Sequence, residues 1–563
     1  MIVAAGWAEG TSAGRLSAVV YALLTLLCVA LYAPGFTSVP PFDRDESRFA
    51  QASFQMLESG DLVDIRFQDE ARHKKPVGIY WLQAASTALL GTAGEKAIWT
   101  YRVPSLLGAV AAVLATAWLG ARQFGPAVGT MAAVMLAGCV VLGVEARMAK
   151  TDAVMLATIT VAQAALAAVY LGRHGERPGW GLPLLFWIAV GLSVLVKGPI
   201  VALVSGGTVA MLALWDRRAG WLARLRPLAG LGIVLLIAAP WLIAITLKTQ
   251  GAFFTESVGH DMMGKVAGGQ EGKGLPPGYY LGTFFITFAP WSFLTLLALP
   301  WIWRNRRDDA VRFCIAWILP TWIVFEVVPT KLLHYTLPVF PAVALLTAGA
   351  ALDAAAPTAG RVLRWASAAL GVGAMAALAL AVALVPWLVD GDVAWAAWII
   401  LPAVVALAVL AVRQRFAGKP RGAVAVALAG AVLLYAVAYA IVLPGVPGLW
   451  VGREAGVLVA ANRPCASTRV ASAGYSEPSL VFAVGTDTLL TRGDGAARHL
   501  LGDPSCALAL VDGREEAAFR TALAGAGATA LGTVRGFNYN NGRRIALTLY
   551  RLAPAPAVAA PTG

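Results

Sequence analysis

The sequence predicts a polytopic α-helical membrane protein with a small α/β domain after its last span, on three observations. Of 563 residues, 59% are hydrophobic and 13% charged, against about 25% charged in an ordinary soluble chain. Apolar runs of about 20 residues, long enough to cross the hydrocarbon core of a bilayer, recur as far as residue 443. Beyond residue 450 the composition turns mixed and strand-like. The mean hydropathy of +0.71 and 19 Trp agree with that reading.

Spans are expected near 16–34, 97–120, 126–144, 153–171, 181–196, 199–215, 226–247, 280–303, 310–328, 335–353, 362–388, 394–412 and 421–443, about thirteen in all by the length rule. The first has no small-residue cleavage site before the charged stretch that follows, so it is expected to be retained and not removed as a signal peptide. "GIYWLQAASTALLGT" at 78–92 is too short to cross and reads as an interfacial or re-entrant helix.

The net charge of +13 does not call for a nucleic acid. The basic residues sit in short loops: Arg122, Arg173, Arg177, "DRRAGWLARLRP", "RNRRDDAVR", Arg361, Arg364 and "RQRFAGKPRG". Such loops face the cytoplasm under the positive-inside rule. Residues 1–15 then form a cytoplasmic tail. Loops 35–96 and 248–279, the short loops 145–152, 197–198 and 329–334, and everything after the last span fall on the outer side.

In the last segment, "STRVASAG", "SLVFAVG", "CALALVDG" and "IALTLYRL" read as strands, and "REEAAFRTALAGAG" as a helix. "FNYNNGRR" is a hairpin turn with Asn-Gly at its tip. The outer domain is expected over 448–553, with a disordered tail at 554–563. Three of the five cysteines lie in spans as small hydrophobes. The other two, Cys465 and Cys506, fall in the outer domain, where an oxidising compartment would let them pair.

The same topology gathers one set of polar residues on the outer face: Asp45, Glu46, Arg48, Lys74, Lys75, Arg147, Lys150, Asp152, Lys197, His260, Lys331 and Tyr335. Charges at span ends are costly in lipid and tend to line a cavity and pair. Any one of them could instead be a headgroup anchor or a helix cap, and the set is the stronger signal. Pro76 disfavours helix at Lys75, Lys197 stands at the break in "VKGP", and Lys331, His334 and Tyr335 open another span. Several cations and a phenol around one cavity suit a phosphate. Asp45 and Asp152 would be the counter-charges, able to orient a nucleophile or take its proton. The chain has no P-loop, dinucleotide fingerprint, G-x-S-x-G or H-E-x-x-H motif.

"DES-RFA", "KKPVGIYWL", "AKTDA", "VKGP", "SVGHDMMGK", "PPGYYLGTFF…FAPW" and "TKLLHYTLPVFPA" occur in this order. The series resembles the bacterial lipid A aminoarabinose transferases, within the C-type (GT-C), protein-mannosyltransferase-like glycosyltransferases. The resemblance covers residues 16 to about 353 well and the outer domain more loosely. It implies a GT-C-type transmembrane bundle in the bacterial inner membrane, with the active site and C-terminal domain facing the periplasm. It implies inverting transfer of a sugar from undecaprenyl phosphate to a periplasmic acceptor such as lipid A, by an enzyme that binds no nucleic acid and acts as a monomer among membrane lipids. By position, the resemblance makes Asp45 and Asp152 catalytic and places Lys75 and Tyr335 at the donor phosphate. Lys197, Lys331 and Arg48 are candidates for the same phosphate, and Glu46 and Lys74 for the rest of the cavity.

The chain departs from the family pattern at two positions. Phe49 stands where the family usually has Tyr, and Lys74 where the aminoarabinose enzymes commonly have Glu. The family places a metal near His260, but an ammonium at Lys74 cannot ligate one, so no zinc or other cofactor is expected to be required. The Lys74 change also leaves open a different sugar, or a protein or glycolipid hydroxyl as acceptor. A transporter of lipid-linked sugars is the rival class. Such proteins tend to show inverted repeats and midplane charges, and this sequence shows neither clearly.

Overall fold

The computed structural model describes residues 14–91, 96–267 and 274–553. The expected disordered tail, and the amino-terminal tail apart from residues 14 and 15, lie outside the described residues. Among the described residues, seven helices are long and apolar enough to cross a membrane, or eight if one bent pair forms a single span. Five shorter apolar helices accompany them. Each matches one of the expected segments in position.

Three expected spans are interrupted. Cys139 takes an extended conformation between Pro126–Gly138 and Val140–Glu145. A π-helical turn, Ala202–Gly206, begins the segment that continues as Gly207–Asp216. Tyr279–Thr287 and Ser292–Asn305 meet at 120°. Each break frees backbone groups that lipid could not satisfy, so such breaks belong where protein or a cavity surrounds them.

The loop after the first helix, Ala18–Tyr32, folds into an amphipathic helix, Asp45–Ser59. Asp45 and Glu46 occupy its first turn, where carboxylates favour the positive end of the helix dipole. The short segment at 78 forms the helix Gly78–Leu89. At Gly78 this helix meets the backbone of the Gly181–Lys197 span so closely that an added Cβ would sit 2.7 Å from the Leu195 carbonyl oxygen. That contact draws Lys75 and Lys197 toward one place. The Gly181–Lys197 helix ends at Gly198, whose φ of +67° suits glycine, so Lys197 is its last residue.

The C-terminal domain carries a five-stranded sheet in the order Leu489–Thr491, Val470–Ala473, Leu508–Asp512, Arg543–Leu552, Ala528–Asn538. The first three strands are parallel and the last two join antiparallel. Helices cover both faces. Val451, Val459 and Leu480 pack on one side with Leu508 and Leu510, while Ala496, Leu500 and Phe519 pack on the other with Ala471 and Val511. Cys465 and Cys506 are joined as a disulfide, with Cα atoms 5.7 Å apart.

One expected strand is wrong. "SLVFAVG" lies in a helix, Pro478–Val484. Pro478 at its first turn is pre-set for helix, and its apolar residues are buried on both sides, against the sheet and against the first-loop helix. A continuous apolar run cannot reveal by periodicity which element buries it.

Candidate functional site

A polar cavity of about 120 Å³ lies beside the amino end of the first-loop helix. Asp45, Arg48, Lys74, Lys75, Lys150, Asp152, Lys197 and Tyr335 all line it. Seven of these eight side chains are charged, and they arrive from four separate loops or span ends. The Asp152–Leu171 span is 20 residues long, so the end away from Asp152 lies about 30 Å off.

The floor of the cavity is an ion network. Lys197 bonds Asp152 directly. Lys150 lies 3.0 Å from Glu145 and 4.0 Å from Asp152. The His334 imidazole bridges the same two acids, at 3.4 Å from Glu145 and 3.5 Å from Asp152. Burial, together with the neighbouring lysines, holds His334 well below its ordinary range. The ring is therefore neutral, an orienting group and not a cation. Asp152 is brought to the cavity as expected, but its oxygens are occupied by cations and it cannot freely take a proton.

A second knot comes from the loop after Lys248. Asp261 lies in a π-helical turn, Thr255–Met262, and accepts from Lys75 at 3.0 Å and from Lys265 at 2.7 Å. Burial lowers Lys75 to about 8, helped by the charge of Lys265 and opposed by Asp261. A lysine so placed is partly desolvated and gains from a further anion.

Asp45 differs from both other cavity acids. Its side chain is exposed to the cavity. Burial beneath the surrounding protein pushes its carboxyl up, but Lys150 and Arg72 outweigh this and hold it below the ordinary range. It is an ionised carboxylate turned toward open space. Phe49, one turn further along, stacks on Tyr80 at 5.2 Å and carries the Arg72 guanidinium 5.0 Å over its ring.

Three expected residues do other work, and a fourth lies outside the cavity. Glu46 faces away from the cavity and is fully buried, because consecutive residues on a helix point about 100° apart. Its carboxylate accepts from Arg102 Nε at 2.8 Å and from the Phe42 and Ala149 amides, each at 2.8 Å. Arg102 spends its other donors on the Phe36, Val39 and Pro40 carbonyls. This fully satisfied pair ties the first loop to the Ile98–Phe124 span and to the short loop before Asp152. Lys331 does not line the cavity: its ammonium donates to the carbonyls of Phe325, Glu326 and Val328 at 2.5–2.7 Å, closing the end of the Asp309–Val327 helix with all three donors used. Arg147 likewise serves backbone carbonyls, those of Leu31, Pro34 and Gly143, and stacks 4.1 Å over Tyr439. His260 is exposed and outside the cavity. Among the described residues no group of three His, Cys, Asp or Glu side chains is placed to hold a metal ion.

The sequence reading passed over Glu145, Arg72, Asp261 and Lys265, and it named His334 without a role. For Asp261 and Lys265 a signal existed. They stand four apart in "GHDMMGK", the spacing of a helical ion pair, beside the histidine that drew attention instead.

The C-terminal domain packs against the turn just before Asp45. Asp43, two residues before Asp45, accepts from the Ser479 amide at 2.9 Å and lies 3.3 Å from the Tyr475 hydroxyl. Tyr539 in turn accepts from the Asp43 amide at 2.7 Å. Burial raises Asp43 to about 6, although the bonds to Ser479 and Tyr475 pull the other way. Arg44, between them, has a φ of +39°, a strained setting for a residue with a Cβ, and reaches Glu477 at 3.7 Å. The domain thus grips the turn that aims Asp45.

Residues 17–254 match the family described as dolichyl-phosphate-mannose-protein mannosyltransferase. Over those residues the chain is similar to that family. Among curated proteins it is 25% identical over 338 residues to the undecaprenyl phosphate-alpha-4-amino-4-deoxy-L-arabinose arabinosyl transferase 1 of Pseudomonas fluorescens, covering 59% of this chain and 56% of that one. It is 28% identical over 378 residues to the corresponding transferase of Erwinia tasmaniensis, covering 65% and 66%. These alignments span between about half and two thirds of each relative. A crystal structure of ArnT from Cupriavidus metallidurans bound to undecaprenyl phosphate superposes with a TM-score of 0.72 at 18% identity, over 95% of this chain and 98% of that one. The fold is that of ArnT, including the C-terminal domain, and the resemblance drawn from the seven motifs holds.

Proposed function

We propose that the chain is a glycosyltransferase that moves a sugar from a polyprenyl phosphate to an acceptor reached beside the C-terminal domain, by direct displacement with inversion. One observation carries this most: an ionised, cavity-facing Asp45 shares a small cavity with Lys75, a desolvated lysine suited to a phosphate. The family match and the ArnT-like fold support the donor class. So does an apolar groove of about 900 Å³ between the bent helix pair and the Asp309–Val327 span, lined by Phe284, Leu299, Ile318 and Trp322 among others. Tyr280, next to groove residue Leu281, accepts from the Leu332 amide at the cavity edge. An acyl or prenyl chain in that groove would lead its phosphate to the lysines.

In the reaction, the acceptor oxygen attacks the anomeric carbon while the bond from that carbon to the phosphate oxygen breaks. The electron pair leaves with the polyprenyl phosphate, whose charge Lys75 and Lys197 offset, with Tyr335 and Arg48 beside them. Preorganised charge of this kind is often the largest catalytic contribution. Where the acceptor is a hydroxyl, its proton passes to Asp45. Asp152 holds Lys197 and Lys150 in position and is not itself the base. Seven helices, or eight with the bent pair, are long and apolar enough to cross among the described residues, and the five shorter apolar helices would complete the thirteen crossings read from the sequence. With the basic loops in the cytoplasm, the cavity and the C-terminal domain open to the periplasm of a bacterial inner membrane.

Asp45→Asn should lower transfer to a hydroxyl acceptor by about 10²–10⁴-fold in purified protein while leaving its melting temperature unchanged. Full activity in that variant would reject the role.

A further inference from the structure

The basic residues at 361–364 and in "RQRFAGKPRG" read as topology signals in the sequence, and in the structure they meet. Arg364, Arg415, Lys419 and Arg421 line one cavity of about 690 Å³. It lies at the end of the bundle away from Asp45: the Phe340–Leu352 helix leads from beside Tyr335 to this cavity, over about 20 Å. The one carboxylate among the described lining residues is Asp353. It accepts from the Trp301 indole at 2.7 Å and from the Ala355 amide at 2.8 Å. Among the described residues none of the four cations has an acidic partner, and Arg364 lies 4.6 Å over the Phe416 ring. The backbone adds to the imbalance. The carboxyl ends of two helices, at Leu352 and Phe416, are closed by amides of their own loops, Asp353 to Gly349, Ala417 to Arg413 and Lys419 to Gln414. The amino ends at Arg361 and Pro420 have no side-chain cap, so first-turn amides lack an intrahelical partner and favour an anion.

Three guanidinium groups and an ammonium around open space suit a phosphate, whose several oxygens can each take a charged donor. The walls indicate what carries it. Leu297, Leu352 and Phe416, from three spans, form an apolar side. Trp365, next to Arg364, is exposed, as tryptophans are at headgroup level. We propose that this cavity binds the phosphate of an anionic phospholipid from the cytoplasmic leaflet, with Arg364, Arg415, Lys419 and Arg421 as its ligands. Basic pockets between spans on the cytoplasmic side bind such headgroups. The site stands apart from sugar transfer and does not rest on the glycosyltransferase reading.

The test titrates the full chain, purified in detergent and stripped of lipid, with dioctanoyl phosphatidylglycerol, dioctanoyl phosphatidylethanolamine and glycerol phosphate. Native mass spectrometry counts the bound molecules, and the melting temperature reports their effect. Phosphatidylglycerol is expected to bind at least about tenfold tighter than phosphatidylethanolamine and to raise the melting temperature. Arg415→Gln combined with Arg421→Gln should abolish that preference while melting like wild type in the absence of lipid. Arg421 is exposed, so Arg421→Gln alone, with a smaller loss of preference, serves if the double variant does not fold. Equal binding of the two lipids by the wild-type chain, or a preference unchanged in the folded variants, would overturn the inference, since the latter would place the lipid elsewhere. Glycerol phosphate binding as tightly as the phospholipid would overturn the assignment to a lipid. Sugar transfer measured on the same samples tests the glycosyltransferase reading separately.

Discussion

The two ends of the helical bundle each hold a network of charged side chains, and they are balanced differently. At the end away from the cavity, Arg173 and Arg312 face Asp216 and Asp309 at 2.5–3.8 Å. Tyr170 completes the set with a bond to Asp216 at 2.8 Å. Two cations meet two anions, nothing is left over, and the network closes the span ends on one another. At the cavity end the cations outnumber the acids, Asp45 is open, and Lys75 is desolvated. A network that balances internally holds helices together, whereas one left out of balance around open space is prepared for a charged ligand.

The contrast can be broken at either end. Asp216→Ala should have the largest effect on stability, because it leaves two part-buried guanidinium groups sharing one acid. Breaking a fully buried pair costs about 3–5 kcal/mol, and the residual exposure here reduces that to about 2–3. The melting temperature in detergent should fall accordingly, while turnover per folded molecule stays within about twofold. Asp45→Asn should give the opposite pattern, with lost turnover and unchanged melting. If both variants lost stability and turnover alike, the distinction between the two ends would fail.

A smaller effect sharpens the role of the domain contact. Asp43 is raised to about 6 from an ordinary 3.8, so the folded state holds its proton more tightly than the unfolded chain does. The stability this confers is complete below pH 3.8 and is lost as pH rises through 6. Asp43→Asn should therefore melt within about 1 kcal/mol of wild type at pH 8 and show a smaller change in melting temperature between pH 8 and pH 5. An unaltered pH profile would mean that Asp43 does not titrate at the contact.

Much of this was legible from hydropathy alone, because bilayer thickness imposes a length on every span. Lys75, Lys197 and Tyr335 were legible because each stands at a break in an apolar run. Asp45 and Glu46 were not separable in the sequence. Adjacent charges look alike until the start of the Asp45–Ser59 helix fixes its phase, which sends one to the cavity and buries the other against Arg102. Lys331 could not be told from a phosphate ligand, since a lysine after a span serves equally well to close a helix end. Long-range pairings such as Lys75 with Asp261, 186 residues apart, leave no local pattern to read.

The central claim is that Lys75 grips the donor phosphate, and undecaprenyl phosphate binding measured against pH tests it most directly. In the free protein Lys75 loses its proton near pH 8, and the bound anion must restore it. Affinity should therefore fall by up to about tenfold per pH unit above 8, with proton uptake, and Lys75→Ala should bind weakly with a flat profile over the same range. Wild-type affinity in Lys75→Ala, with the same dependence on pH, would contradict the account.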